Sequence, residues 1–162
     1  MNPITKQKIK TYAIAIAIPV SVGLLSALLT MGNRQIYETL RVPPLAPPAI
    51  LFPIVWTVLY VLMGVSSGMI WLRREQDPRQ ARRGLVYYAV SLVFNFFWSI
   101  LFFRLRLFLF SFFWLLALLY LIIRTMLAYE CVYPTAAYLQ ILYLFWVSFA
   151  GYLNFAIWFL NR

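Results

Sequence analysis

The sequence predicts an all-α membrane protein, a bundle of five transmembrane helices, and two observations carry that prediction. Hydrophobic residues make up 64% of the 162-residue chain and charged residues only 11%, with a mean hydropathy of +0.83. That is more apolar surface than a soluble domain of this size can bury. The apolar residues also fall into five runs, at about 11–31, 49–72, 84–103, 107–127 and 135–159. Each is near the roughly 20 residues that a helix needs to cross the hydrocarbon core. A single five-helix domain then accounts for residues 1–162.

The net charge of +10 would point to nucleic acid in a soluble protein, but its placement points to a membrane. Lys6, Lys8, Lys10, Arg73, Arg74, Arg79, Arg82, Arg83 and Arg124 lie on one side of a five-span arrangement; Arg34, Arg41, Arg104, Arg106 and Arg162 lie on the other. Nine cations against five place the N-terminus and the 73–83 loop in the cytoplasm, because loops rich in Lys and Arg stay inside. The 73–83 loop reads as solvated and attracted to anionic lipid. Cys131 is the only cysteine, which excludes an intramolecular disulfide and a thiolate metal cluster, and there is no histidine to serve as general base or haem ligand.

Taken in order, residues 1–10 are a basic arm expected at the lipid headgroups. The first span reads as a membrane helix rather than a cleaved signal peptide. It carries Pro19 followed by the small residues Ser21, Gly23 and Ser26, a pattern that suits a kinked, closely packed helix. Residues 32–48 form a long loop with room for a short interfacial helix at 34–41. Tyr37 in that helix could point into the bundle as a lid or sit in an interfacial aromatic belt, and spacing favours the belt. Pro43, Pro44, Pro47 and Pro48 forbid helix and hold the loop extended or turned, forming a rigid cover that leads into the second span. Pro53 falls in the first turn of that span, where a missing amide proton costs little.

The second span aligns Trp56, Tyr60, Met63, Gly64, Ser67 and Trp71 along one stripe, and Gly64 and Gly68 fit the small-xxx-small pattern that lets two membrane helices touch, here a weak pointer to a dimer. The third puts Ser91, Asn95, Trp98 and Phe102 on one face; its short link to the fourth, through Arg104 and Arg106, requires the two to be antiparallel neighbours. Pro134 opens the fifth, whose polar and aromatic face is Tyr143, Trp146, Ala150, Asn154 and Asn161. Small Ala150 between Trp146 and Asn154 leaves room for a flat ligand beside the indole.

An asparagine in the hydrocarbon core must find a partner, so Asn95 and Asn154 are expected to face the interior, bonding helix to helix or meeting a ligand. No span carries Lys, His, Asp or Glu deep in its middle, which disfavours an ion-coupled transporter. No phosphate loop, nucleophile elbow, paired carboxylate or metal-ligand cluster can be assembled, so a conventional hydrolase is disfavoured too. What remains is an aromatic, nearly uncharged cavity suited to a flat apolar molecule with a few polar edges, such as a tetrapyrrole or a sterol.

Three blocks give this reading a family. They are Pro43-Pro44-Leu45-Ala46-Pro47-Pro48 with Val55-Trp56-Thr57-Val58-Leu59-Tyr60 and Met63-Gly64; Asn95 with Trp98-Ser99 and Phe102-Phe103; and Tyr143, Trp146-Val147-Ser148-Phe149-Ala150, Leu153-Asn154, Trp158 and Asn161. In these the chain resembles the TspO/MBR family of tryptophan-rich sensory and translocator proteins, also called peripheral-type benzodiazepine receptors. The resemblance implies a five-helix bundle, usually a homodimer, in a membrane such as the bacterial cell membrane. It implies a receptor that binds porphyrins such as protoporphyrin IX, sterols and synthetic isoquinoline carboxamides, with no cofactor and no metal. The implied ligand-binding residues are Tyr37, Trp56, Asn95, Trp146, Ala150 and Asn154. Some bacterial members are reported to break down protoporphyrin in light, which would give Trp56 and Trp146 a catalytic role; facilitated transport of tetrapyrroles is a further alternative. The chain departs from the family's pattern at Leu45, Ser91, Trp114 and Leu142, where tryptophan, glutamine, aspartate and proline are common. The sterol motif near the C-terminus is not formed around Asn154-Phe155-Ala156-Ile157-Trp158, so cholesterol binding is not expected.

Overall fold

The structure, a computed structural model, describes residues 2–33 and 36–162. Arg34, counted above among the outer cations, lies outside them. Among the described residues five helices are long and apolar enough to cross a membrane: Pro3–Thr30, Leu51–Leu72, Pro78–Arg104, Phe108–Val132 and Pro134–Leu160. We label the α-helical segments α1 (Pro3–Thr30), α2 (Ile36–Thr39), α3 (Leu51–Leu72), α4 (Pro78–Ser99), α5 (Phe108–Val132), α6 (Pro134–Tyr138) and α7 (Ile141–Leu160). Around the bundle, α1 packs on α3 and α4, α5 on α4 and α7, and α7 closes the ring against α3.

The basic arm is not separate from the first span. Asn2 caps α1 by accepting from the Ile4 amide at 3.1 Å, Pro3 sits in the first turn, and nothing between there and Pro19 interrupts the helix. With 28 residues α1 is roughly 42 Å long, more than a hydrocarbon core of about 30 Å.

Pro19 is buried inside α1 and leaves the Ala15 carbonyl without its usual intrahelical donor. Against this carbonyl lies Gly64 of α3. A Cβ on Gly64 would meet the Ile16 backbone and come within 2.8 Å of the Ala15 oxygen, so only hydrogen fits there. Gly68, one turn on, takes Tyr12 and Ala15 in the same way. The glycine pair does let two helices touch, and the helix it touches is α1 of the same chain.

On α3, Tyr60, Met63, Gly64 and Ser67 are buried, as their stripe predicts, but Trp71 is half exposed and carries the Arg74 guanidinium 4.7 Å above its ring. The third span ends in a π turn, Ile100–Arg104, and the chain reverses through Arg106, whose φ of 55° is the left-handed conformation that non-glycine residues rarely adopt. This turn delivers Phe102 into the core and Phe103 to the cavity described below. The short link makes α4 and α5 adjacent. The last span is interrupted, α6 giving way to α7 at Leu139–Gln140. Fully buried Gln140 accounts for the break: its amide donates to Ser66 Oγ at 3.1 Å, and Ser66 donates to the Ala136 carbonyl at 2.7 Å.

Candidate functional site

Beneath the proline-rich cover lies a cavity of about 290 Å³. One wall is the half of α1 beyond Pro19, with Val20, Gly23, Leu24, Ser26, Ala27 and Thr30. The facing wall is the start of α3, with Phe52, Pro53, Trp56, Thr57 and Tyr60, and Trp98, Ser99 and Phe103 close the third side. Tyr37 and Ala49 come from the cover. Glycines hold α1 and α3 together at Gly64 and Gly68, whereas past Pro19 the two helices flank the cavity. Leu24, Pro53 and Thr57 on its rim are exposed, so the cavity opens between two membrane helices. Among the described residues nothing charged lines it; the side chains are aromatic, aliphatic or hydroxyl-bearing.

The cover is fastened at two points. Asn161 holds Arg41 by both backbone groups, accepting from the amide at 2.9 Å and donating to the carbonyl at 2.9 Å. Tyr37 packs edge-on against Phe52, ring centroids 5.3 Å apart, and its hydroxyl reaches the Pro47 carbonyl at 3.5 Å. The lid position, not the belt that spacing favours, is where Tyr37 sits, and burial pushes its phenol above the usual tyrosine range.

Trp56 stands on the cavity wall, stacked on Tyr60 at 5.5 Å and within 6.3 Å of both Trp98 and Tyr143. Asn95 is one residue removed from the cavity: Tyr60 donates to its Oδ1 and its Nδ2 donates to the Tyr143 hydroxyl, both at 3.0 Å. It thus pins α3, α4 and α7 together and has neither end of its amide turned to the cavity. Replacing it with leucine strands two buried phenols, and we expect a loss of about 2–3 kcal/mol. Thermal unfolding in lipid nanodiscs checks this, and an unchanged midpoint would refute the pinning role.

Ala150 and Asn154 line a second, much smaller void of about 20 Å³ together with Phe102, Leu153 and Ile157. Asn154 accepts from the Trp98 indole at 3.1 Å and donates to the Phe108 carbonyl at 2.6 Å. Trp146 lines neither space. Its ring meets Phe52 edge-on at 5.9 Å, and its buried indole N–H has no hydrogen-bond partner among the described residues, a deficit of about 1–3 kcal/mol. The six expected residues are therefore divided: Tyr37 and Trp56 on the large cavity, Tyr37 with Ala150 and Asn154 on the small one, Trp146 behind Phe52, and Asn95 in the core. Sequence reasoning missed Phe52, Phe103 and Ser26 as wall residues. Ser26 was legible only as a small packing residue, and an apolar ring among many gives no signal.

None of the departures from the family pattern lines either space. Leu45 is 68% exposed on the cover, Ser91 bonds back to the Tyr88 carbonyl at 2.7 Å, and Leu142 faces outward. Trp114 stacks on Phe94 at 4.3 Å and donates to its carbonyl at 2.8 Å, sealing α4 to α5.

A five-span helical bundle with a covered aromatic cavity is the architecture of an integral, multi-pass membrane protein that contacts lipid. The chain belongs to the TspO/MBR family, which it matches over residues 15–159. It is 36% identical over 160 residues to the tryptophan-rich protein TspO of Chlorobaculum tepidum, covering 96% of this chain and 98% of the relative. It is 36% identical over 141 residues to the translocator protein of Bos taurus, covering 84% and 81%, and 32% identical over 126 residues to protein CrtK of Rhodobacter capsulatus, covering 77% and 78%.

Proposed function

We propose that this protein is a membrane receptor for porphyrin-like tetrapyrroles and other flat hydrophobic molecules, bound beneath the cover with one face against Trp56. The observation that carries this reading is the cavity itself: uncharged, walled by aromatic rings and open between α1 and α3. A ligand dissolved in the bilayer meets such a site by dispersion and stacking, and a few hydroxyls orient it. The protein would act as a homodimer without a cofactor, in a bacterial cell membrane. Its lysine-bearing N-terminus would be cytoplasmic, following the nine-to-five charge bias.

A second reading is light- and oxygen-dependent breakdown of protoporphyrin IX, favoured by the placement of the Trp56 indole on the cavity wall in contact with two further oxidisable rings. One experiment separates the two readings. Purified protein is titrated with protoporphyrin IX in the dark, with tryptophan quenching as the readout, and the porphyrin absorbance is then followed under light. Saturable quenching with a stable porphyrin spectrum is the result expected of a receptor. Bleaching that disappears when Trp56 and Trp146 are both replaced by phenylalanine, with binding retained, would transfer the proposal to breakdown. Absence of saturable quenching would refute tetrapyrrole binding.

A further inference from the structure

The large cavity and the small void share one partition, built from Tyr37, Phe52, Trp98 and Phe103. These four are not equally fixed. Trp98 is buried and hydrogen-bonded to Asn154, Phe103 is wedged against Trp98 and Phe102, and the Tyr37 hydroxyl reaches Pro47. Phe52 has two edge contacts, to Tyr37 and Trp146, and it stands in the first turn of α3, directly after the non-helical proline segment. Its ring makes no hydrogen bond, so it can turn aside without breaking one. Behind it is the Trp146 indole, whose buried N–H has no partner among the described residues, while the Trp98 and Trp114 N–H groups both do.

We propose that Phe52 is a gate that sets the size of ligand the site accepts. With the ring in its present place, the 290 Å³ cavity lies at the lower edge of the roughly 300–1,000 Å³ typical of small-molecule sites. When the ring turns aside, the two spaces join into one slot running from Trp56 to Ala150 and Asn154. The Trp146 N–H then becomes a hydrogen-bond donor for an acceptor on the ligand's inner edge, such as a ring nitrogen or carbonyl oxygen. The ligand class so defined is planar, larger than the closed cavity, and carries an acceptor at its leading edge. This rests on the tetrapyrrole reading above.

The test uses the full chain in lipid nanodiscs and protoporphyrin IX as probe, in the dark. Phe52→Ala removes the gate and is expected to raise the association rate roughly tenfold, whereas Phe52→Trp is expected to lower it. Phe52→Leu, a smaller truncation, is expected to lie between the unaltered protein and Phe52→Ala, and it serves if the alanine variant does not fold. Independently, the indole resonance of Trp146 in protein labelled with ¹⁵N-tryptophan is expected to move downfield when protoporphyrin IX binds. Saturable binding with an association rate indifferent to residue 52, or with the Trp146 resonance unmoved, would overturn the gate alone. No saturable binding to the unaltered protein would overturn the tetrapyrrole reading and the gate with it.

Discussion

Replacing Gly64 with valine is expected to separate α1 from α3 and to lower stability by about 3 kcal/mol or more, the upper end of what forced overpacking costs. The reason is what the new side chain would meet. At Gly64 it is backbone, the Ile16 Cα and the Ala15 carbonyl, and backbone cannot rotate out of the way as a long side chain can. The Ala15 carbonyl that valine would press on is one that Pro19 has already deprived of its intrahelical donor. Gly68→Ala gives a milder contrast, since the added methyl would meet the Tyr12 ring, which can shift. Thermal unfolding in nanodiscs should rank the variants in that order. Equal midpoints for Gly64→Val and the unaltered protein would show that the two helices are not held at this point. A dimer lost with the fold intact would instead return Gly64 to a contact between copies.

The five spans were legible in the sequence because an uncharged apolar run of membrane length is hard to accommodate anywhere but in a bilayer. So were the inward faces of α4 and α7, since asparagine and serine at helical spacing must turn away from lipid: Ser91, Asn95, Trp98 and Asn154 are all buried. Gly64 and Gly68 were legible as a contact, but not as one within the chain, because a small-residue stripe carries no information about which helix fills it. The break at Gln140 and the π turn at Ile100–Arg104 depend on tertiary partners, Ser66 in one case and the α4–α5 reversal in the other, and so left no periodic trace. Asn161 belonged to the expected polar face, but its work is at the cover, gripping the Arg41 backbone rather than facing a ligand. The cavity was foreseen from composition, as a bundle rich in aromatic residues and poor in charge. Of its wall, Trp56 and Tyr37 stood among the ligand-binding residues that the family resemblance implied, and Tyr60 and Trp98 stood on expected inward faces. Apolar rings such as Phe52 and Phe103 differ from lipid-facing ones only in direction, which depends on how the helices rotate against each other.

The most direct test of whether ligands bind in this cavity is to fill it. Ser26 is 4% exposed and forms part of the α1 wall, on the side of the cavity facing the α3 wall that carries Trp56. A phenyl ring in its place would take up much of the 290 Å³ and leave the Gly64 and Gly68 contacts, the Asn95 bonds and the Asn161 grip as they are. We therefore expect Ser26→Phe to weaken protoporphyrin IX binding, read as dark tryptophan quenching, by roughly tenfold or more, equal to about 1.4 kcal/mol. The unfolding midpoint should stay close to that of the unaltered protein. An unchanged dissociation constant in a folded Ser26→Phe protein would mean that the ligand binds elsewhere, and the assignment of this cavity as the binding site would be wrong.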